Sequence, residues 1–277
     1  MNTTSGRSCA PVRRHERGRG NPDASPVISL AGWARAIREH HQLTRREAES
    51  VTGVSSDYLK NIETGWRPSP DYLEKLITGY RLDHAQQRLT WDLWRPPVHL
   101  APAEELRDRI TTPDRIELLT RLDKAGILAA YVDPLWHILA ANSTFYQVLP
   151  DARTVTGGNV AAWAMPPAPA PSPAKPLFLD PQSEGHILFG MLRGAIGRYR
   201  DSPHVIRLYQ QLARNDAFRR HWHTGIHVAY GRHIEQIVHL RNPATGKPYT
   251  LDVQIAKLAH FPEVRSVIAW PPPPEAP

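Results

Sequence analysis

Four polar side chains, Ser56, Asp57, Lys60 and Asn61, recur at helical offsets interleaved with Leu59 and followed by Ile62. On an α-helix this spacing puts the apolar pair on one face and the polar set on the opposite, solvated one. The chemistry on offer is hydrogen bonding: hydroxyl, carboxylate, ammonium and carboxamide groups read base edges and grip phosphates. A second concentration of polar groups is the stretch HWHTGIHVAYGRH, with His221, His223, His227 and His233. His221 and His223 are two apart and diverge on a helix, and His227 lies beyond Gly225. No nearby Cys or paired carboxylate completes a metal set, so surface and helix-end histidines are the favoured reading. Bond-making chemistry has no signature: there is no P-loop, GxSxG elbow or HExxH, and Gly157-Gly158 is a lone turn signal before Asn159, a helix cap. The chain reads as non-enzymatic, with no cofactor and no metal.

The elements that must position the polar face are legible around it. Thr44 is a good N-cap, with Glu47 three residues on to complete a capping box. Ala48 and Val51 give that helix a small apolar face, and Gly53 ends it with the left-handed backbone a sharp turn needs. Val54 tucks inward, Ser55 caps the next helix and Thr64-Gly65 stops it. Ser69-Pro70 starts another, with Leu73, Leu76 and Ile77 closing a small core. Upstream, Trp33 and Ile37 sit four apart on a first helix. Two short amphipathic helices joined by a tight turn form a helix-turn-helix pattern, which places its second helix in a DNA major groove.

Residues 30–82, and VSSDYLKNIETG most specifically, resemble the XRE/Cro-type helix-turn-helix family. The resemblance implies that Ser55 to Glu63 is the recognition helix, that Ser56, Asp57 and Asn61 take base-reading positions, and that Arg45 takes a phosphate-contact position. Tyr58, Lys60 and Arg67 complete the candidate DNA-binding set with Ser55. Arg38 and Glu63 match a pair that ties the first helix to the recognition helix in some members. Two residues depart from the pattern. Asp57 is acidic where many relatives carry Gln or Arg, and suits a cytosine amino group better than a phosphate. Arg45 replaces a frequent Gln.

A length of 277 residues suits about two domains. The net charge of +7 is spread out: residues 1–26 contribute +3, residues 27–95 only +1, and the remainder +3. Phosphate binding must therefore come from local placement and helix N-termini. No apolar run approaches the roughly 20 residues of a membrane span, and the polar, Arg-rich start is no secretory signal. The single Cys9 excludes an intrachain disulfide, and a reducing cytoplasm fits.

The expected organisation is a disordered basic tail over 1–26, a helix-turn-helix domain over 27–95 ended by Pro96-Pro97, a linker over 96–103, a second domain over 104–270 and a frayed terminus over 271–277. In the second domain Pro113 to Lys124 reads as helix with Ile116, Leu119 and Leu122 on one face. Ile127–Val132 and Leu135–Ala141 read as strands around an Asp133-Pro134 turn. A short helix, Ser143–Leu149, and a stiff proline loop, Pro166–Pro176, follow. Then come three helices, Glu184–Arg200, Pro203–Arg214 and Asp216–His223, and three strands, His233–Leu240, Tyr249–Leu258 and Val264–Trp270. Leu251, Val253 and Ile255 alternate with Asp252 and Gln254, as in a half-buried strand.

Two strands, a helical middle and three antiparallel strands make an α+β arrangement of PAS type, so the fold class is an all-α helix-turn-helix domain followed by a PAS-like domain with an antiparallel sheet. LAAYVDPLWHILAANSTFYQVL, NDAFRRHWHTGIHV and RNPATGKPYTLDV are similar to segments of the MmyB-like regulator ligand-binding domain, over about residues 114–270. That resemblance implies a transcription regulator that binds a fatty acid or similar apolar molecule, with the proline loop as an insertion beside the cavity. Trp136, Phe189, Leu192, Ile196, Leu208 and Trp222 lie on elements that such a domain turns towards its cavity. The expected partners are double-stranded DNA, an apolar small molecule and a second copy of the chain, with no membrane. A dimer follows from the few base pairs one helix reads. Two functions fit: an effector-responsive regulator, or a constitutive DNA-binding protein whose second domain only dimerises or docks a partner.

Overall fold

The computed structural model describes residues 27–233 and 236–271, so the expectations for the two termini lie outside the described residues. The first half is five helices: α1 (Leu30–His40), α2 (Arg45–Thr52), α3 (Ser56–Glu63), α4 (Pro70–Gly79) and α5 (His84–Trp94). Their boundaries follow from capping. Ser29 caps α1, Thr44 and Glu47 form the expected capping box on α2, Gly53 ends α2 at φ +65°, and Ser55 caps α3. Asp83 and Gln86 make a second capping box on α5. Trp33, Ile37, Ala48, Val54, Leu59, Ile62, Leu73 and Leu89 fill the core. Full burial of Leu59 or Ile62 contributes about 1.5–3 kcal/mol each. The Trp33 indole N–H donates to Thr90 Oγ1 at 2.9 Å, fixing α1 on α5.

The second half begins with α6 (Ala103–Ile110) and α7 (Pro113–Lys124), then β1 (Leu128–Val132), β2 (Ile138–Ala141), α8 (Ser143–Val148) and α9 (Val160–Ala164). It continues through α10 (Pro181–Arg198), α11 (Pro203–Leu212), α12 (Asp216–Thr224), β3 (Val238–Arg241), β4 (Pro248–Leu258) and β5 (Phe261–Trp270). The strands form one antiparallel sheet in the order β2-β1-β5-β4-β3, the PAS-like arrangement expected. Asn159 caps α9, accepting from Ala162 N–H at 2.9 Å.

Three local readings are corrected. β2 starts at Ile138 rather than Leu135, because the Asp133 carboxylate accepts from the N–H groups of Leu135 and His137 and curls residues 133–137 into a turn, with Trp136 at φ +71°. Of the strand expected over His233–Leu240, the described residues form one over Val238–Arg241, where β4 supplies partners. On α7 only Leu119 is fully buried; Ile116 is exposed and Leu122 half-buried.

The connection over 96–103 is tied down. Val98 N–H donates to Arg198 O, Leu100 N–H donates to Ser202 Oγ, and the Leu100 side chain is fully buried in the second core. The buried Arg200 guanidinium donates to the carbonyls of Asp92, Leu93 and Arg95, so it closes the end of α5 from the second domain. The two halves are packed against each other along α5 and α10.

Candidate functional site

On α3 the polar residues fall where the spacing put them. Asp57, Lys60 and Asn61 are exposed, and Ser56 is half-exposed. Ser55 Oγ accepts from Tyr58 N–H at 3.3 Å, so its hydroxyl is occupied in capping. A contact not expected from sequence adds to this end: the Glu49 carboxylate on α2 accepts from Ser56 N–H at 2.9 Å. Tyr58 stacks on Tyr72 at 4.2 Å between centroids and pins α3 to α4. Arg67 lies 4.3 Å over the Trp94 ring and remains exposed.

Beneath this face lies a charge cluster. Glu63, with its side chain 1 % exposed, accepts from Arg38 Nε at 2.6 Å and Nη2 at 3.0 Å, which is the pairing of α1 with α3 that the resemblance implied. Arg45 Nε and Nη2 donate to the same carboxylate at 3.0 and 2.8 Å. Burial pushes the Glu63 carboxyl up, but the Arg38 and Arg45 guanidiniums outweigh it and hold the group below its ordinary range. Arg45 is thus engaged with Glu63 rather than turned wholly outward. Its neighbour Arg46 is exposed and lines one groove together with Ser56, Asp57 and Lys60.

The second site is a cavity of about 1490 Å³ between the sheet and the helices. It exceeds the roughly 300–1,000 Å³ of ordinary small-molecule sites. Leu251, Val253 and Ile255 of β4 face it, as their alternation required, with Val267 and Ala269 of β5 beside them. The far wall is Phe145, Trp163 and the first half of α10, and the proline loop from Pro169 to Pro176 forms a further wall. That loop is anchored at two points: Ser172 Oγ donates to Ala164 O at 2.5 Å, and Asn215 Nδ2 donates to Pro166 O at 2.7 Å.

Of the six expected ligand contacts, the structure brings Trp136 and Phe189 to the cavity. Leu192, Ile196, Leu208 and Trp222 are corrected: all four are buried in the core without lining it. Helical periodicity separates an inner face from an outer one, but Leu192 and Ile196 point from α10 into the packed interior rather than into the void.

The polar end of the cavity was not foreseen. Arg193, 3 % exposed, lines it from α10. Its guanidinium donates to the carbonyls of His227 at 2.7 Å, His221 at 2.9 Å and Trp222 at 3.0 Å. Burial alone pushes it down to about 10, so it stays protonated at neutral pH, and no carboxylate offsets that burial among the described residues. The sequence carried one signal, a single charge inside the apolar run ILFGMLRGAIG. Beside it His186 and His227 stack at 3.7 Å. Burial, then His186 and Arg193, lower His227 to about 4. His221, His223 and His233 are exposed, as read, but His227 is turned inward and lines the cavity. No group of three or more potential metal ligands occurs among the described residues.

A helical DNA-reading unit followed by a sheet-walled cavity defines a transcription regulator with a ligand-binding domain, and comparison with known proteins agrees. The family model of the MmyB-like transcription regulator ligand binding domain matches residues 115–276, and that of a helix-turn-helix domain matches residues 29–89. The first match covers more than half of the chain, so the protein belongs to the MmyB-like transcription regulator family. A search of curated proteins returned no match. No helix among the described residues is long and apolar enough to cross a membrane.

Proposed function

We propose that this DNA-binding regulator is effector-responsive, and that its effector is an apolar molecule with an anionic head, of which a fatty acid is the simplest case. The observation that carries the reading is the buried, protonated Arg193 at one end of a largely apolar cavity. A desolvated cation whose partners are neutral carbonyls gains from an entering anion, because the attraction between opposite charges is stronger away from bulk water. Lys175 and His221 line the same cavity and add positive or protonatable groups. A void of this size favours an effector over a domain that serves only to dimerise, which would be packed solid.

In this reading Ser56, Asp57 and Asn61 read base edges, Lys60, Arg46 and Arg67 supply phosphate contacts, and two copies bind half-sites about 10 bp apart or a multiple of that. An intracellular, cytoplasmic setting follows from DNA as the partner. The test is isothermal calorimetry of dodecanoate and palmitate with the full-length protein, after delipidation and mass spectrometry of the extract. The whole chain is required because Val27 and Leu100 belong to the second core. Saturable one-to-one binding, weakened when Val253→Trp intrudes on the β4 wall of the cavity, supports the reading. Absence of binding by either acid, with no copurified amphiphile, overturns it.

A further inference from the structure

Between the cavity and the helix-turn-helix core runs a single extended segment, residues 225–230, leaving α12 at Gly225. Its side chains alternate between the two sides. Ile226 and Val228 are buried in the same cluster as Trp33, Ile37, Leu89 and Leu93 of the DNA-binding half. His227, between them, lines the cavity and stacks on His186 of α10. Successive carbonyls divide likewise: Ile226 O accepts from Gln86 of α5 at 3.2 Å, and His227 O accepts from Arg193 of α10 at 2.7 Å. Tyr230 then crosses to α5, where its hydroxyl donates to Asp92 Oδ2 at 3.1 Å and the Arg88 guanidinium lies 3.8 Å over its ring.

Two glycines on α10 make this contact close. A Cβ at Gly190 would lie 2.6 Å from His227 Nε2 and 2.9 Å from Ala229 N, and one at Gly194 would lie 3.0 Å from Ala229 O. The segment therefore rests directly on the α10 backbone, with no side chain to cushion a shift. The guanidinium that faces the cavity also fixes the last turn of α12, through His221 O and Trp222 O. The Trp222 indole N–H in turn donates at 3.0 Å to Val27 O, just before α1.

From this geometry we infer that residues 225–230 are the strap that couples the cavity to the DNA-binding half, and that ligand occupancy and docking of that half compete for Arg193. An anionic head that draws the guanidinium towards itself takes it from the carbonyls of His221, Trp222 and His227. The strap and the end of α12 lose their anchor, and with them the seats of Ile226 and Val228 under α1 and α5 and the Trp222 tie to Val27 O. The helix-turn-helix is then freed from one fixed orientation, and its affinity for paired half-sites changes. By linkage, whatever loosens the docking raises ligand affinity by the same factor. The inference rests on the effector reading of the cavity for its ligand, and on the strap alone for its mechanics.

The experiment is amide hydrogen exchange on the full-length protein in three forms: wild type, Arg193→Met, and Tyr230→Phe, which lies outside the cavity wall. Each is measured without ligand and with palmitate. Both substitutions are expected to speed exchange about 5-fold or more in residues 225–230 and, across the interface, in α1 and α5, while β4 and β5 stay unchanged. Tyr230→Phe should also tighten palmitate binding by about 5-fold. If Arg193→Met does not fold, Tyr230→Phe alone decides, since it breaks the interface from the other side. Faster exchange confined to the strap, with α1 and α5 at wild-type rates, overturns the coupling. Weaker or unchanged palmitate binding by Tyr230→Phe overturns the competition. Wild type that binds no palmitate, while the ligand-free variants behave as expected, overturns the ligand reading and leaves the coupling standing.

Discussion

All the candidate DNA-reading side chains lie between Arg45 and Arg67, on α2, α3 and the turns flanking α3, with capping residues visible in the sequence. The cavity wall runs from Leu128 to Ala269 and draws on strands, helices and a proline loop. The first region is held by local rules, helical period and caps. The second exists only once β5 has inserted between β1 and β4. The regions also treat charge differently. Buried Glu63 has the Arg38 and Arg45 guanidiniums as counterions, whereas buried Arg193 rests on neutral groups, three carbonyls and the Trp222 ring. The first arrangement makes a rigid platform, and the second leaves a cation for something else to satisfy.

The largest effect expected from this contrast is on stability. Glu63→Ala leaves Arg38, itself buried, without its counterion and should cost about 3–5 kcal/mol in urea unfolding. A loss below about 1 kcal/mol would show that the network is solvated after all. Next in size is base reading. Asn61→Ala should cost about 1–3 kcal/mol on a duplex selected from a random pool and little on random duplex, measured by fluorescence anisotropy. Equal losses on both would remove Asn61 from the reading face.

Smaller effects separate the two neighbouring arginines. Arg46→Ala should lower the salt slope of DNA binding by about one unit. Arg45→Ala should change the slope less and lower the unfolding midpoint more, because its guanidinium is committed to Glu63. The reverse pattern would restore Arg45 to the phosphate. A further effect is a pH dependence. His227 titrates at about 4 in the fold, against 6.5 for the free group, with His186 and Arg193 as neighbours and Asp83 opposing them. A depressed histidine gives stability that is complete above pH 6.5 and lost as the pH falls towards 4. His227→Gln should flatten that part of the stability profile, read by thermal unfolding at a series of pH values. An unchanged profile would move His227 out of the polar end.

The contrast also explains what could be read from the sequence. The helix-turn-helix was legible down to the Thr44–Glu47 capping box, whose partners sit one helical turn apart, whereas the Arg38–Glu63 pair, 25 residues apart on two helices, was reached only through the family resemblance. β4 was legible through the alternation of Leu251, Val253 and Ile255. The cavity contacts were legible only at Trp136 and Phe189: Leu192 and Phe189 look equally apolar, and only tertiary packing sends one into the core and the other to the void. Arg193, His227 and the strap were missed for the same reason, since their partners lie more than twenty residues away in the chain or across the interface.

The measurement closest to the central claim is the affinity of the full-length protein for its selected duplex with and without saturating palmitate, in wild type and in Val253→Trp. Wild-type affinity should shift about 5-fold or more, and Val253→Trp, which narrows the cavity, should reduce the shift while leaving ligand-free DNA binding in place. The same affinity with and without palmitate, in a wild type that binds palmitate, would contradict effector control of DNA binding.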